Sequence, residues 1–454
     1  MNARTTSPLR SSLRRIVIGG TLAMVFATGT GSPATTQFFR ALGADEFHFG
    51  MIGGLPLILL SFQFLGAAFV NRAAHRKPTF LFCLIACRLL YLPLAFLPAL
   101  MPDASPAGRM AVVLALLGMS AALHNFAIPF WFSWVADLVP GRVLNRFWGG
   151  RQFWMHLSWT ASFLAVTAYL LGFPHPVTVA FPVLVCVAVA AGIVDILLFI
   201  RVREPPNVQM PDLSPASAFL EPLRHVEYRG FLSYSCAWSF STMFAAAFMQ
   251  LYVLKEIGLE TWKTTLIWCL AGVGIALAAP IWGRLADRHG QRPVINVSMA
   301  AKSMIVVVFI LLTPENVLWL LPICFLIDGA LNSGSMVAQN GYMLSIAPRE
   351  NRSMFIAAIL GLSGIAGGIA AMLAGALLRG IGPGRVEWMG RSWNAYHVVF
   401  ALSFLFRLLC IPLARRIREP GSSHPSHVLN DVIAETPLRF LRFPVGLYRR
   451  INPR

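Results

Sequence analysis

Asp328, Asn332, Ser335 and Gln339 stand at i, i+4, i+7 and i+11 in an otherwise apolar stretch, 317–346. That spacing puts all four on one face of a helix. Asp328 lies 11 residues into the stretch, about 17 Å along a helix, close to the middle of a bilayer. An ionisable group there costs ~2.5–3.5 kcal/mol, so a functional role is the default reading. Such a stripe suits a hydrated solute or a coupling ion; the ordinary alternative is a hydrogen-bonded network between helices. A second set, Ser120, His124 and Trp131 with Asn125 beside them, lies in 109–137. A neutral imidazole at His124 can bind a hydroxyl or carboxylate, or take up a proton near physiological pH; a packed histidine is the plainer reading. Tyr234, Trp238 and Ser241 in 230–254 repeat the mixture, and Thr28, Ser32 and Thr35 flank Pro33 in 16–37. Aromatic faces interleaved with hydroxyls and amides suit an amphipathic ligand such as a sugar, and they also fill ordinary helix interfaces.

Arg88, Lys302 and Arg407 are cations inside apolar stretches. Arg88 can pair with Asp195, since both lie toward one side of their stretches and Arg can snorkel. Structural pairing is the expected role of all three; a cation facing a cavity would favour an anionic ligand. The seven cysteines, Cys83, Cys87, Cys186, Cys236, Cys269, Cys324 and Cys410, all fall in apolar stretches with no zinc-like spacing and imply no disulfide framework. No metal and no organic cofactor are expected; proton or cation coupling through Asp328 or His124 is.

The elements that position these residues follow from composition. Hydrophobic residues make up 57% of the 454 and charged residues 12%, about half the charge of a soluble domain. Twelve stretches are long enough to cross ~30 Å of hydrocarbon: 16–37, 48–70, 78–99, 109–137, 151–172, 176–200, 230–254, 262–285, 294–313, 317–346, 353–379 and 396–416. The Arg-bearing first 15 residues resemble a signal-peptide start; with eleven further stretches behind them, they read as the approach to a retained first helix. The net charge of +18 would suggest nucleic acid in a soluble protein, but its distribution points to the membrane. With the N-terminus inside, 27 of the 37 Lys and Arg fall on the inner side, the positive-inside pattern. Both termini are therefore expected in the cytoplasm of a cell whose inner (plasma) membrane holds the chain. The tail 437–454 mixes Arg with Phe, Leu and Tyr and suits an anionic lipid surface.

Internal repetition divides the chain. Asn71-Arg72 and Asp287-Arg288 stand 216 residues apart, and Arg203-Glu204-Pro205 and Arg418-Glu419-Pro420 stand 215 apart. Pro140 with Asn145-Arg146 matches Pro348 with Asn351-Arg352 at offsets of 208 and 206. Six crossings per half make the repeats parallel. The fold class is an all-α membrane protein, twelve helices in two pseudo-symmetric bundles: 1–205 and 230–420, joined by a cytoplasmic linker, 206–229, and followed by a tail, 421–454.

Gly283-x-x-x-Asp287-Arg288-x-Gly290-Gln291-Arg292, between the second and third helices of a half, resembles the loop motif of the major facilitator superfamily. The first-half copy, with Ala67, Asn71, Arg72 and Ala74, resembles it in degraded form. The resemblance implies alternating access by two bundles about a central cavity lined mainly by the first, fourth, seventh and tenth helices. It also implies a gating role for Asp287. Physically, Gly283 allows close packing, Gly290 a positive-φ turn, and the Asp287 carboxylate can accept unpaired N–H groups at a neighbouring helix start; Asn71 can cap without charge. The fifth helix lacks the Gly-Pro-Gly-rich signature of the family's drug/proton antiporters, and the fourth lacks Arg-x-x-Gln-Gly, which argues against a multidrug exporter. Gly364, Gly367, Gly368, Ala371 and Gly375 form small-residue seams on the eleventh helix.

The expected function is secondary transport of a small solute, sugar-like or an organic anion, by a monomer, since no Walker-type nucleotide loop is present. The rivals are a transporter-like receptor, which binds without moving its ligand, and a polytopic membrane enzyme.

Overall fold

A computed structural model of the chain describes residues 3–70, 72–139, 144–173, 175–207, 222–346, 352–388 and 391–435. Asn71, Pro140, Pro348, Asn351 and the tail 437–454 lie outside the described residues. Hydrocarbon leaves the backbone no partner but itself, so each apolar run closes its hydrogen bonds as a helix. Among the described residues, eleven crossing segments have the length and apolarity for a bilayer. The remaining crossing, the fifth, Leu144–Gly172, matches them in length; Arg151, Gln152, His156 and Thr160 make it more polar.

Proline punctuates the crossings. The first is Ala3–Gly31 followed by Pro33–Ala41, with extended Ser32 between them and Pro33 opening the second piece. The helix thus starts well before the expected residue 16. In the second crossing, Pro56 precedes a 3₁₀ turn, Leu59–Ser61, between Glu46–Ile58 and Phe62–Val70. A proline cannot donate to the turn before it, and the ladder shifts locally. The third crossing is built from Lys77–Leu89 and Tyr91–Ala95, the fourth is Pro106–Leu138, and the sixth is Val177–Leu198. The seventh to twelfth are Val226–Lys255, Thr261–His289, Gln291–Leu311, Val317–Ile346, Arg352–Ile381 and Ala395–Arg415. A small antiparallel hairpin, Val386–Trp388 with Arg391–Trp393, precedes the last crossing, and an amphipathic helix, Pro425–Glu435, follows it.

Within the first half the first crossing packs on the fifth and sixth, and the fourth packs on the second and third. In the second half the seventh packs on the eleventh and twelfth, and the tenth on the eighth and ninth. Two pairs make the most extensive contacts between the halves: the second with the eleventh, and the fifth with the eighth. Exchanging the halves turns one pair into the other, as a parallel duplication requires. The second–eleventh contact is a backbone approach through small residues: a Cβ on Gly54 would lie 2.5 Å from the Gly368 carbonyl oxygen, and one on Gly50 2.7 Å from that of Ala371. Side chains such as Phe82 and Leu277 remain largely exposed, an apolar belt that lipid covers.

The repeated Arg-Glu-Pro segments perform one task twice. Glu204 Oε1 accepts from the backbone N–H groups of Arg76 (2.5 Å) and Lys77 (3.3 Å), where the third crossing begins. Glu419 accepts from Gln291 (3.0 Å) and Arg292 (2.7 Å), where the ninth begins. The preceding carbonyls match as well: Arg203 O accepts from Trp134 Nε1, and Arg418 O from the Tyr342 hydroxyl. A carboxylate over unpaired N–H groups at a helix start gains from hydrogen bonds and dipole together.

Asp287 is exposed at the end of the eighth crossing, and the start of the ninth, next to it in sequence, is capped by Glu419. Gly283 meets nothing within 4 Å of a would-be Cβ, so close packing does not require it. Gly290 does need to be glycine: its φ is +93°, and a Cβ would lie 2.9 Å from Glu419 Oε2. Arg288 and His289 pair with Asp431 of the following helix at 3.1 and 2.9 Å, and Arg292 donates to the Arg415 carbonyl. Arg72 is exposed.

Candidate functional site

The polar stripe of the tenth crossing opens on a cavity of about 410 Å³. Asp328, Asn332, Ser335 and Gln339 all line it. Facing them across the space is the seventh crossing, through Ser235, Trp238, Ser239, Thr242 and Met243, and Ser363 enters from the eleventh. The cavity extends along the tenth crossing from Cys324 to Met343, toward the side that carries the N-terminus and most of the basic residues.

Of the three cations singled out in apolar stretches, Lys302 and Arg407 reach this space. Lys302 Nζ donates to Asn332 Oδ1 at 2.6 Å and stands 4.0 Å from Asp328 Oδ1. Arg407 donates from Nη1 to the Lys302 carbonyl at 3.0 Å, lies 5.9 Å from the Trp238 ring centre, and keeps a buried Nε with no partner. Both cations thus line the cavity, and the ninth and twelfth crossings contribute to its wall. Arg88 behaves as expected. Its Nη2 stands 3.7 Å from Asp195 Oδ2 in a buried pair, and its guanidinium lies 3.8 Å over the Phe26 ring.

The remaining candidates divide. On the seventh crossing Trp238 lines the cavity, but Tyr234 and Ser241 turn away from it; the Ser241 carbonyl accepts from Ser403 of the twelfth. Ser235, Ser239 and Thr242 take their place. On the fourth, Ser120 donates to the Cys87 carbonyl, Asn125 accepts from Gln63, and Trp131 packs against Arg151. Neither these residues nor His124 line the cavity. Ser120, Asn125 and Trp131 thus make their contacts within the first half. Thr28 is buried away from both large cavities.

Ser32 and Thr35 line a second cavity of about 470 Å³, with Thr30, Thr36 and Gln250. It adjoins the first, sharing Ala246, Met249 and Phe325 as a partition. Phe325 is held there by Trp268, with ring centres 4.1 Å apart. Four crossings were expected to line one central space. The seventh and tenth line both adjoining cavities, and the first and, through Leu117, the fourth line the second.

The end of the bundle opposite the basic side is tied shut. Thr36 donates to Gln250 Oε1 at 2.9 Å, and Arg40 to the Leu254 carbonyl at 3.3 Å. Glu46 pairs with Lys255 and accepts from the Tyr396 hydroxyl at 3.2 Å. Arg379 stands 3.6 Å from Asp45. Asp45 also caps its helix, accepting from the His48 N–H. Burial pushes the Asp45 carboxyl up, but the His48 and Arg379 interactions outweigh it and hold the pKa below the ordinary value.

Residues 263–447 match the sequence model of the Major Facilitator Superfamily. The multi-drug resistance efflux pump PmrA homologue of Lactococcus lactis subsp. lactis (strain IL1403) is 32% identical over 157 residues, 34% of this chain. That match spans about a third of the relative's length, 35%. A mutant of the nucleoside transporter NupG superposes with a TM-score of 0.67 at 12% identity, covering 90% of this chain and 100% of that one. A bacterial homologue of the human lysosomal transporter Spinster, inward-facing and occupied, gives 0.64 at 14% identity over 93% and 98% of the two chains. At such identities the likeness is one of fold.

Proposed function

From the premise that this chain is a multi-pass membrane protein of the major facilitator fold, we propose that it is a secondary transporter. It moves a small solute by alternating access, with 1–205 and 230–420 rocking as two bodies. One observation carries the reading: a cavity lined by the polar stripe of the tenth crossing extends toward one side, while the other side is tied shut by Glu46–Lys255 and its neighbours. A solute in that space has one exit, which is what one half of an alternating cycle needs. In this reading the basic side is cytoplasmic, the state is inward-facing, and the chain acts as a monomer in the inner (plasma) membrane. Asp328 is the coupling candidate, since His124 stands apart from both cavities.

The test is uptake into proteoliposomes of a solute that stabilises the purified protein. Time-dependent accumulation is expected; binding at equilibrium without accumulation makes the protein a receptor instead. Asp328→Asn is expected to flatten the pH dependence of uptake, and an unchanged dependence removes Asp328 from coupling. A second reading, export of an amphipathic solute, is favoured by the similarity to the efflux pump over 157 residues. Accumulation driven only out of the cytoplasmic side would select it.

A further inference from the structure

We propose that the solute is an amphipathic organic monoanion whose carboxylate is taken by Lys302 and Arg407; this rests on the transporter reading. The cavity holds two cations and one acid among its lining residues. In a water-poor space that surplus of positive charge is costly unless an anion offsets it. The cations are incompletely used. Lys302 spends its short hydrogen bond on neutral Asn332 and stands 4.0 Å from Asp328. Arg407 is 3% exposed, spends one Nη1 bond on a backbone carbonyl, and leaves Nε buried without a partner. An Arg fork beside a lysine is the donor set that matches a carboxylate.

The rest of the wall sets the other half of the ligand. Trp238, Met243, Phe309, Phe325 and Met336 give an apolar, adaptable surface, with Met side chains able to fit varied shapes. A volume of about 410 Å³ falls in the range of small-ligand pockets, roughly 300–1,000 Å³. Asp328 then acts as an internal competitor: it neutralises the cations while the site is empty and yields them to the incoming carboxylate. Asn332 positions Lys302 through its 2.6 Å hydrogen bond.

Three probes with one body and different heads test this on the purified full chain: 4-phenylbutyrate, 4-phenylbutanol and 4-phenylbutylammonium, scored by thermal stabilisation. Phenylbutyrate is expected to bind at least ~10-fold tighter than the alcohol, the size of one charge-assisted hydrogen bond, and the ammonium weakest. Lys302→Gln and Arg407→Gln each should erase the carboxylate's advantage while the alcohol still binds, which shows that the variant has folded. Asp328→Asn should tighten phenylbutyrate, because the competing acid is gone; a structural role for Asp328 would weaken all three probes alike. A preference for the ammonium, an advantage that survives both cation variants, or no stabilisation by phenylbutyrate overturns the proposal. Counterflow of the same probes in liposomes separates the two claims. If the alcohol or ammonium moves and the carboxylate does not, the charge assignment falls and transport stands. If none moves and none binds, both fall.

Discussion

The two halves place charged and polar residues at matching positions and use them in opposite ways. Arg88 and Lys302 stand 214 positions apart on the third and ninth crossings, and Asp195 and Arg407 stand 212 apart on the sixth and twelfth. Ser120 and His124 correspond to Asp328 and Asn332 at an offset of 208 on the fourth and tenth. In the first half the sixth-crossing position is an acid, so Arg88 is answered locally and the pair is sealed under Phe26. In the second half Arg407 stands three residues, about one helical turn, before the counterpart of Asp195 at the 215-residue offset of the Arg-Glu-Pro repeat, and it is a second cation. The answering acid comes instead from the tenth crossing, where Asp328 is 28% exposed beside the cavity. Which crossing supplies the acid separates a closed structural pair from a cluster open to the cavity. A duplicated scaffold thus gives one half to support and the other to ligand contact.

The largest expected effect breaks that comparison on the structural side. Asp195→Ala leaves Arg88 buried and unpaired, and should cost ~3–5 kcal/mol of stability. Asp328→Ala, at a site already open to the cavity, should cost far less in thermal unfolding. Equal losses would mean that both clusters are structural. Next in size is the seam between the halves. Gly368→Leu forces side-chain atoms against the Gly54 carbonyl and should cost ~1–3 kcal/mol. Transport should fall further than stability does, because the seam must slide; proportionate loss of both makes it simple packing. The smallest effects test the symmetry itself. Glu204→Gln and Glu419→Gln each weaken a charge-assisted cap, by ~1 kcal/mol, and should lower the unfolding midpoint by similar amounts. A large inequality would show that the two loops are alike in sequence and different in duty.

The crossings were legible from sequence because hydrocarbon permits so few backbone solutions: the tenth runs over Val317–Ile346, and the eleventh begins at Arg352, one residue before the expected 353. Helix rotation was legible only where polarity is confined to one face. On the tenth crossing the stripe from Asp328 to Gln339 holds most of the polar residues of an otherwise apolar helix and lines the cavity, joined by Asn340. On the seventh, Tyr234, Ser235, Trp238, Ser239, Ser241 and Thr242 spread around the axis, so the chosen face was about one residue off. Lys302 and Arg407 were visible as buried cations, but where a side chain on the ninth or twelfth crossing points depends on tertiary packing. Spacing exposed the Arg-Glu-Pro repeat without its duty, because its partners are backbone N–H groups that no residue type announces.

Alternating access requires the tied end to open in every cycle, and Thr36 and Gln250, 2.9 Å apart, span it. Cysteines at these two positions, in a chain freed of its seven native ones, can be bridged by a short bis-thiosulfonate and released by reductant. Bridging is expected to abolish time-dependent solute accumulation, leave ligand stabilisation intact, and be reversed by reduction. Accumulation that continues at the original rate with the bridge in place would contradict movement between two access states.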